Sequence, residues 1–389
     1  MLVTHAPATP AQLLDRTHDL CPTAARHAAS VDAEARFPVE TIDGARDRQL
    51  LSAAIPPELG GAGAPLTALV EMCHTLGTAC GASAMVLAMH HIQVALLVRH
   101  ARHVPAIAEH LAAVAEQQRL LGSVTSEVGV GGDTRTSRCA VARDGDLVTL
   151  EKDATTVSYG AHADDLLLTA RRAEDAASGD QVLLLARQGE FLLTSRGGWD
   201  TLGMRGTCSP PFLVSVRAPA AQLFPVPYAD ASMETMVPVS HLLWAALWTG
   251  IASDAVARAA AFVRAAARRT PGTTPPTALR LAELSVRLQA LRQQVWGLAA
   301  EVDALGEARA PLRTMAWALR CNNLKVAASE GAARVVHQAL QVTGIMGYRN
   351  DTPYSVGRHY RDVLSASLMV GNERILAKNA AMLLVHKDD

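Results

Sequence analysis

Leu281, Leu284, Leu288, Leu291, Val295, Leu298, Val302 and Leu305 recur at intervals of three and four residues. Sustained over more than three heptads, this is the narrow apolar seam of a long helix packed lengthwise in a bundle. It commits the C-terminal part of the chain to helices lying side by side. A second long helix is expected after Pro311, ending near Gly344, and a third from about Tyr354 through MVGNERILAKNAAMLLV. The run HLLWAALWTGIA (241–252) is too short to span a bilayer and reads as a buried helix.

The rest of the chain divides in two. From about residue 10 to 118 apolar residues again repeat every three or four positions, as in ALVEMCHTLGTAC and SAMVLAMHHIQVALLVRH, with GGAGAP (60–65) as a loop between helices. From about 119 to 230 the pattern shifts to short apolar runs, among them DLVTLEK, DDLLLTARR and QVLLLAR, separated by Gly, Asp and Ser clusters. These read as about six strands of a small sandwich or barrel. The expected architecture is α+β in three domains: 1–118 helical, 119–232 β and 233–389 a four-helix bundle.

Composition removes several function classes. A net charge of −1 leaves no basic footprint for nucleic acid or an anionic membrane. The start, MLVTHAPATPAQ, has neither the basic nor the apolar region of a signal peptide. Six scattered cysteines without a Cys-x-x-Cys pair suit reduced thiols, so a cytoplasmic location is expected. No His, Asp or Glu cluster has metal-ligand spacing, and no metal is expected.

The turn SEVGVGGD (126–133) places three glycines between two carboxylates. Glycines let backbone approach a ligand, often a phosphate. A strand-like stretch follows, not a helix, and no Gly-Lys-Ser/Thr is present, so neither a dinucleotide fingerprint nor a P-loop fits. A wide β-turn without a ligand remains the alternative from these residues alone.

Six segments, in order, resemble the acyl-CoA dehydrogenase superfamily of FAD enzymes over nearly the whole chain. They are PPELGGAGAPL (56–66), SVTSEVGVGGD (123–133), LGMRGTCSPPFLV (202–214), ARRTPG (267–272), QVTGIMGY (341–348) and YRDVLSASLMVGNERI (360–375). The resemblance implies FAD, which needs donors around its ring and an anion cradle for its pyrophosphate. Thr125 and Ser126, Gly131 and Gly132, and Thr155, Thr156 and Ser158 would lie along it, with Asn372 beside it. Thr155 stands where the family carries a Trp against the flavin, so its small side chain opens room. Arg268 and Thr270 would reach the pyrophosphate across a dimer interface, and Gln341 with Gly344 would contact the adenosine part, which implies a homodimer or homotetramer. Ile345 replaces the second glycine of that last motif.

The family removes a thioester Cα proton with a carboxylate that commonly precedes a glycine. Here that position is Val370, before Gly371. Glu373 lies three residues on, one helical turn away if the helix is continuous. Some members carry the base on the first bundle helix, where His241 is the titratable side chain of SHLLWAALW. Three readings follow. Glu373 or His241 substitutes as base in an α,β-dehydrogenase of a specialised acyl thioester of secondary metabolism, carried by CoA or a carrier protein and served by an electron acceptor. Or reduced flavin and dioxygen oxygenate the substrate, either that thioester or, in a two-component monooxygenase fed by a flavin reductase, a small amine or aromatic compound. Or catalysis is lost and a flavin-binding scaffold remains. His90 and His91, with Val370 and Gly371, are expected to border the substrate. Trp244 reads as core, Cys208 as a buried thiol, and Arg361-Asp362 resembles a structural ion pair.

Overall fold

The computed structural model describes residues 7–387. A capping box opens its first helix: Thr9 Oγ1 accepts from the Gln12 amide at 3.3 Å, and Gln12 Oε1 accepts from the Thr9 amide at 2.8 Å. Five helices form the N-terminal part: α1 (Pro10–Ala33), α2 (Val39–Asp47), α3 (Leu66–Ala79), α4 (Gly81–His100) and α5 (Pro105–Gln117). Seven strands follow: β1 (Leu121–Val124), β2 (Ala142–Asp144), β3 (Leu147–Ala154), β4 (Asp165–Arg171), β5 (Gln181–Ala186), β6 (Phe191–Ser195) and β7 (Phe212–Pro219). They form two sheets, β1-β4-β5 and β2-β3-β7-β6, with β1 and β4 parallel and the remaining pairs antiparallel. Val124, Leu166, Leu168, Val148 and Val214 fill the space between the sheets, as alternating strand residues require.

The last part is helical: α6 (Tyr228–Ala231), α7 (Val237–Arg269), α8 (Ala278–Ala304), α9 (Met315–Thr343), α10 (Ile345–Tyr348), α11 (Gly357–Leu364) and α12 (Asn372–Leu383). The heptad seam lies on α8, with Leu284, Leu291, Val295, Leu298 and Val302 buried against the bundle. One apolar core runs from α1 and α3 through α7 to α9. The contact between α3 and α7 is a glycine crossing: a Cβ at Gly250 would sit 2.3 Å from the His74 carbonyl oxygen. Two helical stretches are long and apolar enough to cross a membrane, Gly81–His100 and Tyr228–Arg269. In their apolar windows 83% and 89% of residues are buried inside the protein, so they are core helices.

The third bundle helix departs from expectation. The stretch from 354 is not one helix: α11 ends at Leu364, a 3-10 turn covers Ser365–Ser367, and α12 starts only at Asn372. Between them Val370 has φ 53° and Gly371 φ 28°. A β-branched residue rarely adopts that left-handed backbone. The periodicity survives the break, which is why the sequence alone reads as continuous.

Candidate functional site

A cavity of about 670 Å³ opens where the β sandwich, α4 and the bundle meet. Its first wall is made of strand ends. β1 runs out into Thr125 and Ser126, and β3 into Thr155, Thr156 and Ser158. Ser126 Oγ donates to the Thr156 carbonyl at 2.7 Å and accepts from the Thr156 amide at 3.0 Å, which ties the two strand ends together. Gly132 adds backbone at the rim. Gly129, Gly131 and Gly132 all have positive φ (86°, 58° and 78°), so this turn needs glycine. A Cβ at Gly131 would meet nothing within 4 Å, and backbone there is open to a ligand.

Glu127, in the same segment, turns inward. It is buried and accepts from Ser137 Oγ at 2.7 Å and the Cys139 amide at 2.6 Å, with the buried Lys152 ammonium at 3.5 Å. Burial raises its pKa, but the Ser137 hydroxyl, Lys152 and the amides outweigh it, and the net shift is downward. It is an ionised anchor of the turn, not a cavity base.

The opposite walls are largely apolar. Helix α4 contributes Met85, Met89, Ile92 and Gln93, α7 contributes His241 and Trp244, and the broken segment after α11 contributes Leu368 and Val370. His241 is buried, and its Nδ1 lies 3.2 Å from the Cys321 carbonyl oxygen. A carbonyl only accepts, so Nδ1 carries the proton in the neutral ring and Nε2 keeps its lone pair. Burial pushes the imidazole down to about 4, opposed by the Cys321 hydrogen bond and reinforced by Lys325 and Lys378. Histidine 241 is therefore neutral at pH 7.

Among the described residues that line the cavity, none is Asp or Glu, and Arg361 is the one Lys or Arg side chain. Arg361 pairs with Asp32 of α1 rather than with its neighbour Asp362. Asp362 instead accepts from the Met204 amide at 2.7 Å, with Arg358 at 4.0 Å. Its expected pairing with Arg361 is thus replaced by a clamp joining α1, the β domain and α11. Burial pushes the Asp362 carboxyl up to about 6.

The cavity brings together Thr125, Ser126, Gly132, Thr155, Thr156, Ser158, His241 and Val370, as expected from the sequence. Gly131 and Gly371 sit beside lining residues. The two α4 histidines are corrected. His90 Nε2 lies 2.7 Å from the Leu51 carbonyl and its Nδ1 accepts from the Leu121 amide at 3.1 Å, so the ring pins α4 to β1. His91 is fully buried, and neither histidine lines the cavity. Glu373 is exposed on the first turn of α12 and is not a cavity residue, because the break at Val370–Gly371 removes the one-turn relation to position 370. Asn372 is buried in a polar knot: it accepts from Lys325 Nζ at 2.7 Å and donates to Ser329 Oγ at 3.0 Å. Arg268, Thr270, Gln341 and Gly344 are exposed and stand apart from the cavity. Cys208 is half-buried, and burial raises its thiol pKa, so it stays protonated.

Sequence reasoning missed Met85, Met89, Gln93, Trp199 and Tyr228 and took Trp244 for core. Met85, Met89 and Gln93 lie on α4, where apolar residues at helical spacing look alike whether they face a core or a cavity.

Family models for the acyl-CoA dehydrogenase N-terminal domain and C-terminal domain match residues 11–106 and 230–384. The chain belongs to the acyl-CoA dehydrogenase family. It is a flavoenzyme of that family, and its fold is the acyl-CoA dehydrogenase fold of N-terminal helices, central sheets and C-terminal helices. It is 24% identical over 358 residues to the cyclohex-1-ene-1-carbonyl-CoA dehydrogenase of Syntrophus aciditrophicus (strain SB), covering 90% of this chain and 83% of that one. It is 29% identical over 386 residues to the L-evernosamine nitrososynthase of a Micromonospora species, covering 94% and 88%. In structure it resembles FMN-bound TdsC from Paenibacillus sp. A11-2, with a TM-score of 0.84, 20% identity and coverage of 97% and 98%. Family relatives thus include a dehydrogenase and a nitrososynthase on one framework. The hydroxyl-rich wall and the open glycine turn fit a flavin, whose ring needs hydrogen-bonding partners and whose phosphate needs exposed backbone amides.

Proposed function

We propose that this chain is a flavin-dependent monooxygenase that oxygenates the nitrogen of a small amine, with reduced flavin delivered by a separate reductase. The observation that carries the reading is a cavity wall without a carboxylate among the described residues, and it agrees with the resemblance, which puts Val370 where the family commonly carries its base. Abstraction of a thioester Cα proton needs a positioned base, and its loss removes a factor of about a hundred to ten thousand. Oxygenation of an amine needs no such proton removal from carbon. A bound flavin, once reduced, would supply the two electrons that activate dioxygen, one oxygen atom of which goes to the amine while the other leaves as water.

Each wall then has a task. Thr125, Thr155, Thr156 and Ser158 offer hydroxyls along the cofactor, and the Ser126–Thr156 pair fixes their spacing. His241 stays neutral and can accept an N–H of the substrate at Nε2, while the apolar wall disfavours a charged ammonium and leaves the amine lone pair free to react. Met85, Ile92 and Trp244, all buried, give the inner part of the cavity an apolar lining that disfavours water. The nitrososynthase relative, named for an amino sugar, supports an amine as substrate. Arg268, Thr270, Gln341 and Gly344 would serve the distal end of the cofactor in a second copy of the chain, and FAD remains the family expectation.

Dehydrogenation of a specialised acyl thioester is the competing reading, favoured by the position of His241 on the first bundle helix. One experiment separates them. The purified flavoprotein is titrated anaerobically with acyl- and aryl-CoA thioesters, then supplied with reductase, NADH, ¹⁸O₂ and a panel of amino sugars. The expected result is no bleaching by any thioester and incorporation of one ¹⁸O atom into an amine. Bleaching by a thioester without oxygen would overturn the monooxygenase reading.

A further inference from the structure

Lys325 of α9 is fully buried, and its ammonium donates to a neutral amide, Asn372 Oδ1, at 2.7 Å. Burial pushes it down to about 8, opposed by Glu330, so it is still a cation at pH 7. Glu330 is exposed and is reached through Asn372, whose Nδ2 donates to Glu330 Oε1 at 3.3 Å. The ammonium also stands 5.8 Å from the Trp248 ring of α7, at the edge of cation–π range. A buried cation is costly, and this one faces the first turn of α12, where the helix dipole disfavours it further. A methionine would fill the same space without that cost.

Asn372 is the first residue of α12 and directly follows the break. Val370, two residues before it, holds its left-handed backbone at a cost that persists only where the surroundings fix it. Its side chain is 40% exposed and lies on the cavity wall, so core packing does not fix it. The residues that follow are fixed. Lys325 and Ser329 hold Asn372, and two turns later Asn322 and Asn323 hold Asn379 at 2.7 Å and 2.9 Å. Between them Arg374 donates to the Gly131 carbonyl. Cys321, Lys325 and Ser329 are spaced four apart on one face of α9, and the Cys321 carbonyl meets His241. One stripe of α9 therefore supports both His241 and the start of α12.

We propose that Lys325 is a positioning residue: its hydrogen bond to Asn372 clips the start of α12 to α9, holds Val370 left-handed against the cavity, and so sets the shape of the substrate wall. A charge-assisted hydrogen bond is directional and fixes the Asn372 side chain in a way that apolar packing does not. Asn379 anchors α12 independently, so loss of the clip frees the break and leaves the helix docked. The inference rests on the proposed function in taking the cavity as a substrate site, but not on which reaction takes place there.

The test compares wild-type flavoprotein with K325M, V370G and the double variant, by peptide-resolved hydrogen exchange and by amine turnover. K325M is expected to speed amide exchange over 368–374 about tenfold, with 376–383 and the strand end at 121–128 exchanging as in wild type. The amine KM should rise about tenfold while kcat stays within about twofold. V370G removes both the strained backbone and the side chain that the clip positions. Adding K325M to it should therefore change exchange and KM by about twofold or less. Unchanged exchange over 368–374 in K325M, a rise shared equally with 376–383, an unchanged KM, or an undiminished effect in the V370G background would overturn the proposal. If K325M does not fold by circular dichroism, N372L, which removes the acceptor, decides by the same criterion. If wild type turns over no amine, the proposed function fails, and the exchange measurements still decide the clip.

Discussion

The two sides of the cavity are built on different principles. On the β side, Thr125, Ser126, Thr155, Thr156 and Ser158 sit at the ends of strands whose register is fixed by ladder hydrogen bonds. On the bundle side, Trp244, His241, Leu368 and Val370 come from a long helix and from a segment that breaks helical geometry. The β side offers hydroxyls and backbone, the chemistry of holding a cofactor. The bundle side offers apolar surface and one neutral imidazole, the chemistry of choosing a substrate.

That contrast can be broken at its sharpest point by His241→Leu. Oxygenation of the amine should fall by about ten- to a hundredfold, the effect of losing one orienting hydrogen bond of about 1–3 kcal/mol. Flavin affinity should stay at the wild-type value, because the cofactor wall is untouched. A matching loss of flavin affinity in a binding titration would mean that the two walls are not separable.

Acid should act mainly through buried imidazoles, on both sides. Burial lowers His74, His90, His110, His241 and His359 to about 4 from the ordinary value of 6.5. Between those values the unfolded chain takes up protons that the folded protein refuses, so stability falls as pH drops from 6.5 to 4. Asp362, raised to about 6 from 3.8, has the opposite sign and gains stability over part of that window. His91, His100 and His162 are lowered by burial as well, so the imidazoles outweigh Asp362 and the melting temperature should decline across the window. A melting temperature that is flat or rising from pH 6.5 to 4 would contradict these burial assignments. Below 3.8, Asp254, lowered to about 2 by His359 and Arg258 against its burial, adds to the loss.

The smallest effect is expected on the cofactor wall. Ser126→Ala removes both hydrogen bonds to the Thr156 backbone, a change of about 1 kcal/mol. Flavin affinity should weaken severalfold, with the amine KM unchanged. A shift in KM without a shift in flavin affinity would move Ser126 to the substrate side.

Much of the cofactor wall was legible in the sequence. Strand ends and glycine turns are local features, and Thr125, Ser126, Gly132, Thr155, Thr156 and Ser158 all reach the cavity. The bundle wall was less so. Glu373 looked close to position 370 only while the helix was taken as unbroken. His90 looked like a cavity residue until its two nitrogens were found bonded to Leu51 and Leu121, from segments far apart in the chain.

By itself the sequence determined the three-part order, the bundle and the glycine turn, because apolar period and backbone freedom are written locally. The resemblance in its last segment also suggested Val370 at the usual base position. Only the tertiary structure decided that no carboxylate among the described residues lines the cavity, that Arg361 pairs with Asp32 instead of Asp362, and that Arg374 stands over the turn at 131. Those facts depend on which elements meet across long stretches of chain, and packing, not local periodicity, sets which side chains face one another.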